Sequence, residues 1–143
     1  MMLTTVRHIL QFKGPQVWSI HPGATVFEAL RMMADKDIGA VLVMEGERLV
    51  GVMTEREYAR KVILQGKSSR ETKVSDIMGT DLTAIHPEQT LEECMDLMTQ
   101  HHVRYLPVVE NNEVIGVISL GDVVYNIIHR QRQTIKEMES KKI

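Results

Sequence analysis

The sequence predicts an α/β fold of the mixed α+β kind, two pseudo-symmetric β-α-β-β-α units packed as one module. The first observation behind this is an internal repeat. Ile20-His21-Pro22 returns as Ile85-His86-Pro87, Thr25 as Thr90, Glu28 as Glu93, Met33 as Met98 and Gly51-Val52 as Gly116-Val117, all at a spacing of 65 residues without a gap. A period this long is a supersecondary unit duplicated once, and the copies are expected to bury apolar faces against each other. The second observation is a Thr-x-x-Glu signature ahead of a helical apolar stripe in each copy. The third is a pair of short apolar runs joined by a polar turn, again in each copy.

The elements follow in order. Val17-Trp18-Ser19-Ile20 reads as a brief strand stopped by His21-Pro22-Gly23. Thr25 caps the next helix, with Glu28 placed to complete a capping box, and Val26, Ala29, Leu30 and Met33 supply its apolar spacing as far as Asp37. Ala40 to Met44 is an uninterrupted apolar run, the mark of a strand buried on both faces. Glu45-Gly46-Glu47 turns it into a return strand, Leu49 to Met53, and Thr54 or Glu55 opens a helix reaching about Gln65. In the second copy the first strand is Leu82 to Ile85, and Thr90 with Glu93 caps a helix to Gln100. The hairpin is Leu106 to Val109 and Val114 to Ile118 around Glu110-Asn111-Asn112, and the last helix starts at Gly121.

A lead-in precedes each copy. Val6 to Leu10 matches Val74 to Met78 at an offset of 68, which leaves a three-residue insertion around Lys13-Gly14-Pro15 in the first copy. The expected organisation is a first unit over residues 6–65, a connection over 66–73, a second unit over 74–128 and a helical extension over 129–143. The connection reads either as a solvated linker or as a lid over a ligand. Along the extension Val123, Val124, Ile127, Ile128, Ile135 and Met138 recur at helical spacing towards Lys142. That stripe packs either on a neighbouring subunit or back on its own module.

With 43% hydrophobic and 25% charged residues, the 143-residue chain has the composition of a globular domain with a real core. A formal charge of -2 argues against a protein that wraps nucleic acid, although a small anionic ligand needs only two or three cations. No apolar run is long enough for a membrane span or a secretory signal, so a cytoplasmic location is expected. The single cysteine, Cys94, stands where the first copy has Ala29 and reads as a small core residue. His101-His102 lacks a completing ligand set, so no metal is expected.

The chemistry concentrates at two helix starts. A Ser or Thr in the first turn sets a hydroxyl beside unpaired backbone N–H groups, which suits a phosphate, and a carboxylate three residues on can accept from both ribose hydroxyls. Thr54 with Glu57, and Ser119 with Asp122, have that spacing; the competing reading of both is a capping box alone. Among the cations, Arg56 and Arg104 are the first choices for a phosphate, while Arg60, Lys61, Lys67 and Arg70 read equally well as solvated surface.

The heptapeptides Gly51-Val52-Met53-Thr54-Glu55-Arg56-Glu57 and Gly116-Val117-Ile118-Ser119-Leu120-Gly121-Asp122, with Arg104-Tyr105-Leu106-Pro107-Val108-Val109 upstream, resemble a pair of CBS domains, the Bateman module. Thr54 to Val62, Gly66-Lys67-Ser68-Ser69 and Asp76-Ile77-Met78 are similar to bacterial and mitochondrial proteins consisting of one CBS pair. Glu57, where that group usually has Asp, and Tyr125, where it tends to have Lys, depart from the pattern. The resemblance implies a regulatory adenine nucleotide, AMP first, with ADP, ATP or NAD as alternatives. It also implies an unknown regulated partner and a homodimer through helical faces, here those bearing Met32, Met33, Met95 and Met98; with no nucleophile elbow and no phosphate loop carrying a Lys, no catalysis is expected. By the same resemblance the base would lie beside Ser19 and Ile20 with Gly39, Ala40 and Val41, or beside Thr83 and Ile85 with Arg104, Tyr105, Leu106 and Pro107. Gly39 and Ala40 leave room for a ring. Pro107 marks either a place needing no donor or a guard on a strand edge. A scaffolding dimer with vestigial pockets and a slow nucleotide hydrolase using Glu57 or Asp122 as base are the competing functions.

Overall fold

The computed structural model describes residues 4–14 and 17–140; Pro15 of the predicted insertion and Lys142 at the end of the predicted stripe lie outside them. The elements are α1 (Val6–Lys13), β1 (Ser19–Ile20), α2 (Val26–Lys36), β2 (Ala40–Glu45), β3 (Arg48–Thr54) and α3 (Glu55–Tyr58), which runs into a π-helical turn Ala59–Ile63. They continue with α4 (Val74–Ile77), α5 (Leu91–His101), β4 (Tyr105–Glu110), β5 (Glu113–Ser119) and α6 (Leu120–Ser140). One sheet has the order β1-β2-β3, with β1 parallel and β3 antiparallel to β2; the other pairs β4 with β5.

The chain divides into two compact units that cut across the sequence repeat. One gathers α1 with residues 83–110 and the chain from Ile115 onward; the other runs from β1 to Leu82 and takes in the turn 111–114. Each lead-in therefore packs with the other repeat. Leu91 N–H donates to the Thr4 carbonyl beside a Thr5–Thr90 bridge, and Lys73 bridges Thr25 in the matching place. The two cores repeat in step: Val26, Ala29, Met33, Val41, Val43 and Met53 answer to Leu91, Cys94, Met98, Leu106, Val108 and Ile118, with Val74 and Ile77 added to the first and Val6 and Ile9 to the second. Met33 and Met98 are 4% and 5% exposed, so they are core and not the intersubunit surface expected of them. Cys94 is fully buried, and burial pushes its thiol up to about 11.

The repeated glycine explains the exchange. A Cβ at Gly51 would lie 2.5 Å from the Met78 sulfur and 3.1 Å from the Gly79 carbonyl; one at Gly116 would lie 2.5 Å from Leu10 Cδ2. Only a bare backbone lets the lead-in close on the return strand.

The copies differ at three places. Capping is reciprocal for Thr25 and Glu28, but Glu93 bonds the Thr90 hydroxyl and not its N–H, so the second box is half formed. The expected strand Leu82 to Ile85 shrinks to a bridge from Ile85 to Val108. In the first sheet Leu42 N–H donates to the Trp18 carbonyl at 3.1 Å, whereas the second copy has Pro107 at that place, with no N–H to offer Thr83. Finally, Gly66 at φ +68° follows the turn Ala59–Ile63 that ends the helix begun by α3, while its counterpart Gln131 lets α6 run for 21 residues. Both hairpins turn as expected, Asn111 and Asn112 with φ of 54° and 64°, the signature of a type I′ turn.

The connection is structural and not a plain linker. Val26 and Phe27 N–H donate to the Thr72 and Ser69 carbonyls at 2.8 and 2.9 Å, satisfying the first turn of α2.

Gly51→Ala should destabilise by about 1–3 kcal/mol through overpacking. Gly116→Ala should cost less, because only the mobile end of Leu10 must give way. Urea unfolding of the two variants checks the order, and equal or negligible losses would contradict the close approach.

Candidate functional site

The first group of predicted residues assembles around the start of α3. Ser19 and Ile20 lie opposite Leu42 and Val43 in the parallel ladder, and Ala40 and Val41 lie opposite Thr54 and Met53 in the antiparallel one. The Gly39 carbonyl accepts from Glu55 N–H at 3.3 Å, which ties the start of β2 to the first turn of the helix. Thr54 Oγ1 accepts from Arg56 N–H at 3.2 Å and Glu57 N–H at 3.5 Å, while Glu57 Oε2 accepts from Thr54 N–H at 3.1 Å and from the Thr54 hydroxyl. Arg56 is exposed in the same turn. Val41 is 1% exposed and contributes its side chain to the core, leaving only its backbone to the site.

The second group assembles in the same way at the start of α6. The Arg104 carbonyl accepts from Leu120 N–H at 2.8 Å, the counterpart of the Gly39 bond. Asp122 Oδ2 accepts from Ser119 N–H at 2.8 Å, and Ser119 Oγ accepts from Asp122 N–H at 3.1 Å. Ile85 N–H donates to the Pro107 carbonyl at 2.9 Å, and Val109 N–H to the Ile85 carbonyl at 2.8 Å, which sets Thr83 and Ile85 beside Leu106 and Pro107. Ile85 and Leu106 are 2% and 0% exposed and Pro107 is buried, so these three have only backbone to offer a ligand; Thr83, Tyr105 and Ser119 are half-buried and Arg104 is exposed.

Both carboxylates thus close helix starts, the capping reading, and each does so through one oxygen. Among the described residues Glu57 Oε1 and Asp122 Oδ1 accept no hydrogen bond, so each carboxylate keeps acceptor capacity.

Lys13, which the spacing argument passed over, marks the difference between the sites. Its ammonium donates to Asp122 Oδ2 at 2.7 Å and to the Val117 carbonyl at 2.8 Å, with the lysine and aspartate side chains 36% and 23% exposed. In the other unit the matching Val52 carbonyl accepts from Gly79 N–H at 2.8 Å, a backbone bond that brings no charge. The only gap in the sequence repeat falls at Lys13-Gly14-Pro15, and that gap was the signal available. Other cations have structural work: Lys61 Nζ donates to the Ile77 carbonyl at 3.1 Å, and the Arg70 guanidinium stacks 3.9 Å over Phe27. Among the described residues no three His, Cys, Asp or Glu side chains gather as a metal centre, and no helix is long and apolar enough to cross a membrane.

Residues 6–63 and 74–129 each match the family model of the CBS domain. The chain is 35% identical to the CBS domain-containing protein CBSX3 of Arabidopsis thaliana, described as mitochondrial, over 96% of this chain and 71% of the relative. It is 37% identical to the CBS domain-containing protein YhcV of Bacillus subtilis over 78% and 79%. Among solved structures, a candidate signal-transduction protein with CBS domains from Burkholderia ambifaria superposes with a TM-score of 0.86 at 43% identity, covering 90% of this chain and 96% of that one. CBS domains are regulatory modules, typically without catalysis of their own, and they commonly bind adenine nucleotides as regulatory ligands. The duplicated helix starts, the exchanged lead-ins and these matches agree, and the chain belongs to the CBS-domain family as a protein carrying two CBS domains.

Proposed function

We propose that the chain is an adenine-nucleotide sensor, with AMP as the first ligand and ADP, ATP or NAD as alternatives, and that ligand occupancy modulates a partner protein. The observation that carries this reading is the hydroxyl–carboxylate helix start built twice on one scaffold, each copy tied to the strand before it and each keeping a spare carboxylate oxygen. Ribose hydroxyls donate to Asp122 or Glu57, while the phosphate faces the Ser119 or Thr54 hydroxyl with Arg104 or Arg56 as cation. The base lies beside Ser19, Ile20 and Gly39 to Val41, or beside Thr83, Ile85 and Arg104 to Pro107. In the second site Pro107 offers no N–H to Thr83, so the Thr83 carbonyl suits an exocyclic amino group. Lys13 adds a positive charge that the first site lacks at the matching position, so the two sites differ in affinity or in nucleotide preference. The protein also pairs as a homodimer, for which α5 presents Met95, 40% exposed.

Thermal shift with AMP, ATP and NAD should show stabilisation by at least one nucleotide; indifference to all three would refute the sensor. Asp122→Ala should weaken binding by about 1.5–3 kcal/mol, the range for hydrogen bonds to a charged group. Equal titration curves for wild type and variant would remove Asp122 from the ribose. Lys13→Met should reduce AMP affinity about tenfold while leaving adenosine nearly unchanged, because only the phosphorylated ligand uses the extra charge. Parallel losses for both ligands would make Lys13 a purely structural residue. Sedimentation equilibrium should give about twice the chain mass of 16.3 kDa, and the single mass would refute the homodimer.

A further inference from the structure

The C-terminal half of α6 stands apart from the fold. Every residue from 131 to 140 is helical and exposed, while the helix touches the core through Val123 and partly through Ile127. A ten-residue helix without tertiary packing is marginal in water. Besides Leu120 and Tyr125 near the start of α6, its exposed apolar residues are not scattered. Val124, Ile128, Ile135 and Met138 are 46%, 43%, 54% and 60% exposed, and with Gln131 they step along the helix by four, three, four and three residues. That alternation is the 3.5-residue period of a helix-pairing seam.

We propose that residues 131–140 pair with the same segment of a second copy of the chain, antiparallel. The flanking charges choose both the occupant and the direction. Arg132 and Glu139 lie one heptad apart on the same side of the seam. When Ile135 of one helix packs against Met138 of the other in antiparallel register, Arg132 of each comes beside Glu139 of its mate, giving two reciprocal ion pairs. A parallel in-register pair instead brings Arg132 beside Ile127 and Glu139 beside Thr134, with no charge to meet either. Arg130 is already held by Glu92 at 2.6 Å within its own chain. The overlap is short, and an interface well below roughly 1,000 Å² self-associates weakly. This pairing is independent of nucleotide sensing and of any dimer made by the faces of the repeats.

The test therefore reads the tail itself. Full-length Arg132→Cys and Glu139→Cys chains are prepared separately, then mixed in a glutathione redox buffer. Cys94 is buried with its thiol raised to about 11 and leaves the readout to the engineered sites. The mixed disulfide should dominate. In each variant alone the two engineered cysteines would sit roughly 10 Å apart along the helices, too far for a strain-free bond. Adding Ile135→Asp to both chains should abolish the mixed product. Failure to cross-link, or homodisulfides prevailing in either single preparation, would overturn the antiparallel pair. A mixed product that survives Ile135→Asp would also overturn it, since collision and not the seam would then form the bond. Each of these outcomes leaves a dimer through the repeat faces to be decided by its mass.

Discussion

The close approach of a lead-in residue to a bare glycine on the return strand is the constraint on which each unit rests. Met78 over Gly51 and Leu10 over Gly116 leave no room for a Cβ, and Val74 with Ile77, and Val6 with Ile9, complete the cores beneath. Because each lead-in belongs by sequence to the other repeat, neither repeat can close its own core from its own residues. Removing one lead-in would expose fully buried apolar groups, so each unit draws part of its core from the lead-in of the other repeat. The same exchange builds the second site, since α1 ends where its last residue, Lys13, can reach Asp122.

Identical scaffolds carrying unequal chemistry follow from a few local substitutions. Pro107 in place of Leu42 removes one ladder donor, shortens a strand to a bridge and frees the bond-accepting capacity of the Thr83 carbonyl. Gln131 in place of Gly66 lets a helix continue where the first copy turns. The insertion around Lys13 substitutes an ammonium for a backbone N–H at the Val117 carbonyl and adds an ion pair to Asp122 that Glu57 does not have among the described residues. Two related helix starts can in this way share one fold and differ in chemistry.

Much of this was legible in the chain. The 65-residue repeat, the caps at Thr25, Thr54 and Ser119, the hairpin turns and the core role of Cys94 all depend on neighbours within a few residues or on direct comparison of the copies. Local hydrogen bonding and period determine such features, and they survive in any tertiary context. The half-formed box at Thr90 was not legible, because Thr90 and Glu93 keep the spacing of Thr25 and Glu28 and only the placement of the Glu93 carboxylate, on the hydroxyl and not on the N–H, separates the two. Met33 stands on the apolar stripe of its helix and is also offered to a partner, and only the burial of Met33 and Met98 decides between the two.

What the sequence determined by itself was the unit: its strands, its capped helices and the pairing of a hydroxyl with a carboxylate three residues later. Those are properties of short segments, decided by steric allowance and local hydrogen bonds. The tertiary structure alone decided which lead-in serves which sheet, that Lys13 rather than a residue of the second repeat meets Asp122, and that the connection caps α2 through Ser69 and Thr72. Each of those is a contact across dozens of residues, selected by where buried area and unsatisfied backbone groups could be matched together. A period cannot report such a choice, because both alternatives leave the repeat unchanged.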